Sequence, residues 1–290
     1  MEIALHIGAL LTDENTLVRC LLRNRELLAE QGIAVPSPGD YRPQLLVLSQ
    51  EMLGKPTSAE TQETLLDGLI EADDVRRVVF SFENLMAPAK WVIDKGAFYP
   101  EAGARVAAVR RLFPTAEVKV FLAIRNPTTF LPALAQNNNA GGPETALKGI
   151  DPATIYWSQV VAQIREAAPD VPITVWCDED APLIWPEVLR AVADHAPDTD
   201  LAGWFARYWD MMTPNAHEVM RRYFVRNPIR DDQQRRRALS AILSKFAKSD
   251  SFEVEADFLG WTADYAEALT EKYEQDVDLI ASIPGVTLLE

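Results

Sequence analysis

The sequence predicts an α/β fold in one domain, residues 1–290, with a parallel sheet flanked by helices over 1–197 and a mostly helical extension over 198–290 packed on it. Three observations predict it. Four short apolar runs rich in β-branched or aromatic residues, at 3–7, 78–82, 118–124 and 173–177, read as buried strands. Each is separated from the next by room for a helix, as the crossovers of a parallel sheet require. Beyond Asp198 the apolar residues recur at helical spacing, and no strand is predicted there.

In chain order, the first strand runs through a tight turn into a helix on which Leu17, Leu21, Leu22 and Leu28 share a face, and Gly32 ends it as a left-handed cap. A helical pattern over 44–70 is interrupted by Gly54-Lys55-Pro56, and another over 103–113 is stopped by Pro114. Helices also fit 152–168, entered through Asp151 as cap with proline in the first turn, and 186–195. In the last third, Ala238, Leu239, Ile242, Leu243 and Phe246 make one apolar stripe, and Ala266, Leu269, Tyr273, Val277 and Ile280 make a second. Four or five parallel strands are expected in all.

With 48% hydrophobic and 24% charged residues, the 290-residue chain is ordinary globular material long enough to bury a core. Its formal charge of −15 argues against nucleic acid and anionic membrane as partners, since both are drawn by excess positive charge. No apolar stretch reaches the roughly 18 to 20 residues that span a bilayer, and the first residues lack a secretory signal pattern, so no membrane insertion and a cytoplasmic location are expected. Cys20 and Cys177 give no disulfide framework or zinc spacing, and His6, His195 and His217 lie in separate segments, so no metal site is expected.

Candidate chemistry lies at three places. The turn after the first strand, from His6 through Gly8 to Leu17, stands where α/β proteins place a phosphate loop. Such a loop needs glycines that turn backbone N–H groups to the ligand, a helix N-terminus behind it and a lysine to neutralise charge. Only Gly8 is kept here. Arg125 ends the third strand, and Glu83 follows the second, at the sheet edge from which active-site groups project.

The stretch His6-Ile7-Gly8-Ala9, with Gln31-Gly32 and Val35-Pro36 downstream, resembles a bacterial branch of the P-loop sulfotransferase family, whose members open with a strand, HIGAxKTGTTSLQ and a helix. Phe121-Leu122-Ala123-Ile124-Arg125-Asn126-Pro127 looks like that family's second nucleotide-contact strand, and Tyr273, Asp276 and Pro284-Gly285-Val286 resemble its closing pattern. The resemblance implies a P-loop sulfotransferase-like fold and a donor, 3′-phosphoadenosine-5′-phosphosulfate, or its desulfated product, as cofactor. It implies donor contacts at Gly8, Thr12, Thr16 and Arg125, a small-molecule hydroxyl compound as acceptor, Glu83 as general base and His6 as a second candidate base.

The departures from the family pattern are specific. Its loop lysine falls on Leu11, its second glycine on Asp13 and its hydroxyls on Glu14 and Asn15, while the serine expected eight residues after Arg125 is Ala133. A carboxylate about 4 Å from a phosphate at an effective dielectric of about 20 costs about 4 kcal/mol, roughly a thousandfold in affinity. The same carboxylates suit a helix N-terminus, so Asp13 and Glu14 are expected to let the loop cap itself.

Two readings therefore stand at this stage. One is a non-catalytic or altered relative that lacks the loop lysine and glycine and whose fold is kept for binding a small molecule or partner; the other is an active sulfotransferase moving a sulfuryl group from 3′-phosphoadenosine-5′-phosphosulfate to a hydroxyl. Each candidate also has a structural alternative. Arg125 reads equally as a salt bridge or carbonyl partner, Glu83 as a loop carboxylate or cap, and His6 as a satisfied core residue. The polar loop 136–143 reads as a lid or a connection. The arginines at 221, 222, 226, 230 and 235–237 read as an anion site or a solvated face, and Trp204-Phe205 and Tyr208-Trp209 as an apolar pocket or core. Lys90, Lys95 and Lys148 are alternative sources of the missing charge, and the run Asp178-Glu179-Asp180 reads as helix capping rather than a metal site.

Overall fold

The first apolar run forms β1 (Glu2–His6), followed by α1 (Thr16–Arg23), α2 (Arg25–Ala29) and the short β2 (Ile33–Ala34). The chain continues through α3 (Pro38–Glu51) and α4 (Ala59–Asp67) to β3 (Arg77–Ser81), then a small hairpin of β4 (Ile93–Asp94) and β5 (Ala97–Phe98). Next come α5 (Ala102–Arg110), β6 (Glu117–Ile124), α6 (Pro127–Gln136), α7 (Pro143–Leu147), α8 (Trp157–Ala167), β7 (Ile173–Cys177) and α9 (Ala181–Ala193). The last third holds α10 (Pro214–Arg226), α11 (Asp232–Phe246), α12 (Ala263–Ala281) and β8 (Val286–Leu289). The structure is a computed structural model that describes residues 1–51, 57–72, 74–208, 211–227, 231–248 and 258–290.

The main sheet has six parallel strands in the order β2-β3-β1-β6-β7-β8. Alternation along each strand sorts its side chains between two cores, because successive residues point to opposite faces. Ile3, Leu5, Val78, Phe80, Val118, Val120, Ile173 and Val175 face one cluster, shared with Tyr41 of α3, Val106 of α5, Phe130 of α6, Trp157 of α8 and Ile280 of α12. Ala4, Val79, Phe121, Ala123 and Trp176 face the other, shared with Leu17 of α1, Val188 of α9, Met220 of α10 and Leu239 of α11. The sheet is thus buried on both sides, which is why its strands read as unbroken apolar runs. Between β1 and β6 the chain reverses its direction of travel across the sheet, and β1 ends there at the topological switch point.

All four expected strands form. Four further elements were not anticipated: β2, the β4–β5 hairpin and, against the expectation of no strand after Asp198, β8. Strand β8 pairs only with β7, is partly exposed and is only four residues long, so it lacks the length of an inner strand. The expected helix over 44–70 begins six residues earlier, at Pro38, and its interruption at Gly54-Lys55-Pro56 lies outside the described residues. The expected helix over 152–168 is two elements, because Asp151 caps only a single turn at Pro152–Thr154 and Ile155 and Tyr156 are extended. The expected helix over 186–195 starts at Ala181 and takes Pro186 into its interior. Among the described residues, no helix is long and apolar enough to cross a membrane.

Two contacts fix the helices on the first face. Helices α5 and α8 approach through Gly103, where a Cβ would sit 2.5 Å from the Gln163 carbonyl oxygen. From α12, the buried Asp276 carboxylate accepts the Ser158 amide at 3.0 Å and the Ser158 hydroxyl, capping the free end of α8 from across the interface. The stripe Leu269, Tyr273 and Ile280 is buried beside it.

Candidate functional site

The parallel register sets His6 beside Ser81 on one side and Phe121 on the other. The His6 Nδ1 shares a 2.9 Å hydrogen bond with the Ser81 hydroxyl, and its ring stacks on Trp176 at 5.7 Å. The ring is fully buried and its Nε2 has no partner among the described residues. Burial holds its pKa below the ordinary histidine value, with Arg42 adding to and Asp13 opposing that shift. His6 is a fully buried core residue rather than a group open to a substrate.

Beyond β1 the backbone turns sharply. Gly8 adopts φ +48°, which favours glycine, and a Cβ there would stand a tight 3.2 Å from the Glu83 Cγ. Leu11, Glu14 and Asn15 also have positive φ, at 66°, 50° and 64°. Each left-handed non-glycine residue costs about 1 kcal/mol, so the surrounding bonds must hold the loop in place.

Those bonds come from the protein's own acids and arginines. The Asp13 carboxylate, 3% exposed, accepts the Leu17 amide at 2.8 Å through Oδ2 and the Asn15 amide at 3.2 Å through Oδ1. Asn15 occupies the cap position of α1 but makes no side-chain cap bond, so Asp13 does that work from two residues further back. Glu83 accepts the same Asn15 amide at 3.3 Å. The Asn15 Oδ1 instead accepts from Arg42 Nη2 at 2.6 Å, and Arg42 also donates to the Ser81 carbonyl at 2.7 and 2.9 Å.

On the other side of the loop the carbonyls face cations. Arg125 Nη1 donates to the Leu11 carbonyl at 2.8 Å, and Arg207 Nη1 donates to the Thr12 carbonyl at 2.7 Å. Arg207 also pairs with Asp178 at 2.5 Å, both largely buried. A phosphate loop presents amides to its ligand; here two of the amides are held by carboxylates and two carbonyls by guanidinium groups.

The sequence-derived candidates are therefore neighbours, but each is already engaged. The Thr12 hydroxyl donates to the Ala9 carbonyl at 2.7 Å, the Thr16 hydroxyl accepts from Arg19 Nη2 at 3.2 Å, and Arg125 Nε donates to the Thr129 hydroxyl at 3.0 Å. Self-capping occurs with a change of partner. Asp13 caps as expected, Glu14 lies exposed, and the second carboxylate is Glu83 from the far side of β1. Sequence reasoning missed Arg42 and Arg207. Neither carries a local signal, since Arg42 sits alone before Pro43 inside α3 and Arg207 sits among the aromatics Trp204, Phe205 and Tyr208.

Against the expectation of helix capping, the side chains of the three acids after β7 make no cap bond to α9 among the described residues; two are held by other partners. Asp178 pairs with Arg207, and Glu179 accepts the Asn126 amide at 2.8 Å and the Tyr273 hydroxyl at 3.1 Å. Asp180 stands at the start of α9 without a side-chain cap bond. Among the described residues no group of three or more His, Cys, Asp or Glu is placed to hold a metal ion.

Most of the remaining described candidates have structural partners. Trp204 and Phe205 stack at 4.0 Å against the second core, and Trp209 lies outside the described residues. Arg221 and Arg222 pair with Glu218, Arg235 with Asp232 and Arg236 with Glu187, while Arg230 lies outside the described residues. Lys148 and Lys90 lie over the Trp91 ring at 4.4 and 5.7 Å. In the polar loop, Asn137 caps a single turn and Ala140 is fully buried.

Burial lifts the Asp178 carboxyl to about 7, with Arg207 and Arg125 opposing the rise and Glu179 and Asp13 adding to it. A carboxyl whose folded value lies above its unfolded value near 3.8 binds its proton more tightly in the native state. Its contribution to stability is full below about pH 4 and falls as pH rises through about 7. Buried His6 and His195, whose values are lowered, act in the opposite sense. The stability difference between the wild type and Asp178→Asn removes their effect. We expect that difference to fall by on the order of 2 kcal/mol between pH 5 and 8 in urea titrations, and a flat difference contradicts the assignment.

No family model, curated protein or solved structure matches the chain, so its chemistry is read from this geometry alone.

Proposed function

We propose that the chain is a non-catalytic protein of P-loop sulfotransferase-like fold, whose donor loop is closed by its own side chains. One observation carries the reading: Asp13 and Glu83 hold the amides of Asn15 and Leu17 that an anion would need. No lysine stands in the loop to neutralise the leaving phosphate, a charge that a sulfuryl transferase must stabilise in its transition state. A donor entering here would have to displace two carboxylates and meet their charge.

The competing reading, an active sulfotransferase using 3′-phosphoadenosine-5′-phosphosulfate, draws on Arg42, Arg125 and Arg207, which bring three guanidinium groups to this loop. In that reading Glu83 leaves Asn15 and serves as the base toward a hydroxyl acceptor. Calorimetric titration with adenosine 3′,5′-bisphosphate separates the two. The closed loop predicts no binding tighter than about 1 mM, whereas low micromolar binding overturns it and favours the transferase.

A further inference from the structure

Away from this loop, on the β8 side of the sheet, a cleft of about 350 Å³ opens where β7, α9, α11, α12 and β8 meet. Small-molecule sites occupy about 300–1,000 Å³, so the space suits a compact ligand. Leu183, Ile184, Val277 and Leu288 line it with hydrocarbon, and Asp180 and Glu290 supply two carboxylates. Arg236, the cation of the lining, bonds Glu187 through Nε at 2.8 Å, so its charge is already matched inside the protein. Cys177, also in the lining, is kept a neutral thiol by burial, which pushes its pKa up to about 12.

With Arg236 paired to Glu187, Asp180 and Glu290 leave the exposed mouth of the cleft net negative among the described residues, beside an apolar wall. An anionic ligand would meet like charge, and a neutral one would leave the carboxylates opposed. Asp180 is exposed on one side, yet its partial burial first, and Glu290 second, hold its carboxyl above the ordinary range. A cation placed beside both would relieve that opposition.

We propose that this cleft binds a small amphipathic amine, its ammonium between Asp180 and Glu290 and its hydrocarbon body against Leu183, Ile184, Val277 and Leu288. The inference rests on neither reading of the loop after β1, because nucleotide binding there would leave the cleft unchanged.

The test titrates the whole protein at pH 7.5 with hexylamine, 1-hexanol and hexanoate, which share one tail and differ in head group. Hexylamine should bind at least about tenfold tighter than hexanol, and hexanoate weakest of the three. Asp180→Asn should bring the amine to within about threefold of the alcohol, and Val277→Phe, which fills the cleft, should weaken both. Asp180 makes no cap bond, so the first variant keeps the start of α9; should it fail to fold, Glu290→Gln at the exposed rim carries the same comparison. Equal binding of amine and alcohol, tightest binding of hexanoate, absence of amine binding, or an amine preference that survives loss of the carboxylate would each overturn the proposal.

Discussion

Arg207→Ala should destabilise the protein by about 3–5 kcal/mol, the usual loss when one partner of a buried ion pair is removed. The guanidinium does three things at once. It pairs with Asp178 at 2.5 Å, donates to the Thr12 carbonyl at 2.7 Å and lies over the Trp185 ring at 5.7 Å. Its loss leaves a buried carboxyl and a loop carbonyl without their donor. Because burial already lifts Asp178 to about 7, the orphaned carboxyl takes up a proton below neutrality, so the loss should be smaller at pH 6 than at pH 8.

Urea titrations at the two pH values measure both effects, and a loss under about 0.5 kcal/mol would show that the pair contributes nothing. Replacing both partners, Arg207→Met with Asp178→Leu, should recover most of the stability, since removing a buried pair together costs far less than breaking it. Amide exchange adds a local test. Arg207 comes from the segment Trp204–Tyr208, far along the chain, and ties it to the loop after β1. The amides of Asn15 and Leu17 should therefore exchange faster in Arg207→Ala even where global stability is matched.

The second large effect is expected for Asp13→Ala, at about 2–3 kcal/mol. An N-cap change alone costs about 1 kcal/mol, and a buried amide left without an acceptor adds about 1–3 kcal/mol. Both apply, because Asp13 is 3% exposed and serves the Leu17 amide alone and the Asn15 amide jointly with Glu83. Asp13→Asn keeps one acceptor oxygen and should retain about half the stability. A neutral outcome for Asp13→Ala in thermal and urea unfolding would mean that water or another group replaces the carboxylate, which would weaken the case for a loop closed by its own side chains.

Much of the fold was legible because local pattern and tertiary role agree. An inner strand buried on both faces is apolar at most positions, and residues 78–82 and 118–124, interrupted only by Ser81 and Lys119, carry that pattern. The acidic turn was legible for the same reason. An acid three residues before Thr16 and no lysine between Gly8 and Leu17 foretold a capped helix start, which Asp13 supplies. The edge strand β8 was not legible, since one neighbour and partial exposure leave a mixed sequence that helix, strand or coil would accept.

By itself, then, the sequence determined the layered α/β class, the position of the turn after β1 and its negative charge. Tertiary structure alone decided which groups close that turn. Glu83, Arg42, Arg125 and Arg207 reach it from just past β3, from α3, from just past β6 and from the last third, at sequence separations of 68, 27, 114 and 195 residues. Hydrogen bonds act over about 3 Å between atoms whatever their distance along the chain, so no local pattern encodes such partners. The parallel register, which brings the ends of β1, β3 and β6 together, selects Glu83 and Arg125, and the packing of α3 and of the Trp204–Tyr208 turn against that end of the sheet selects Arg42 and Arg207.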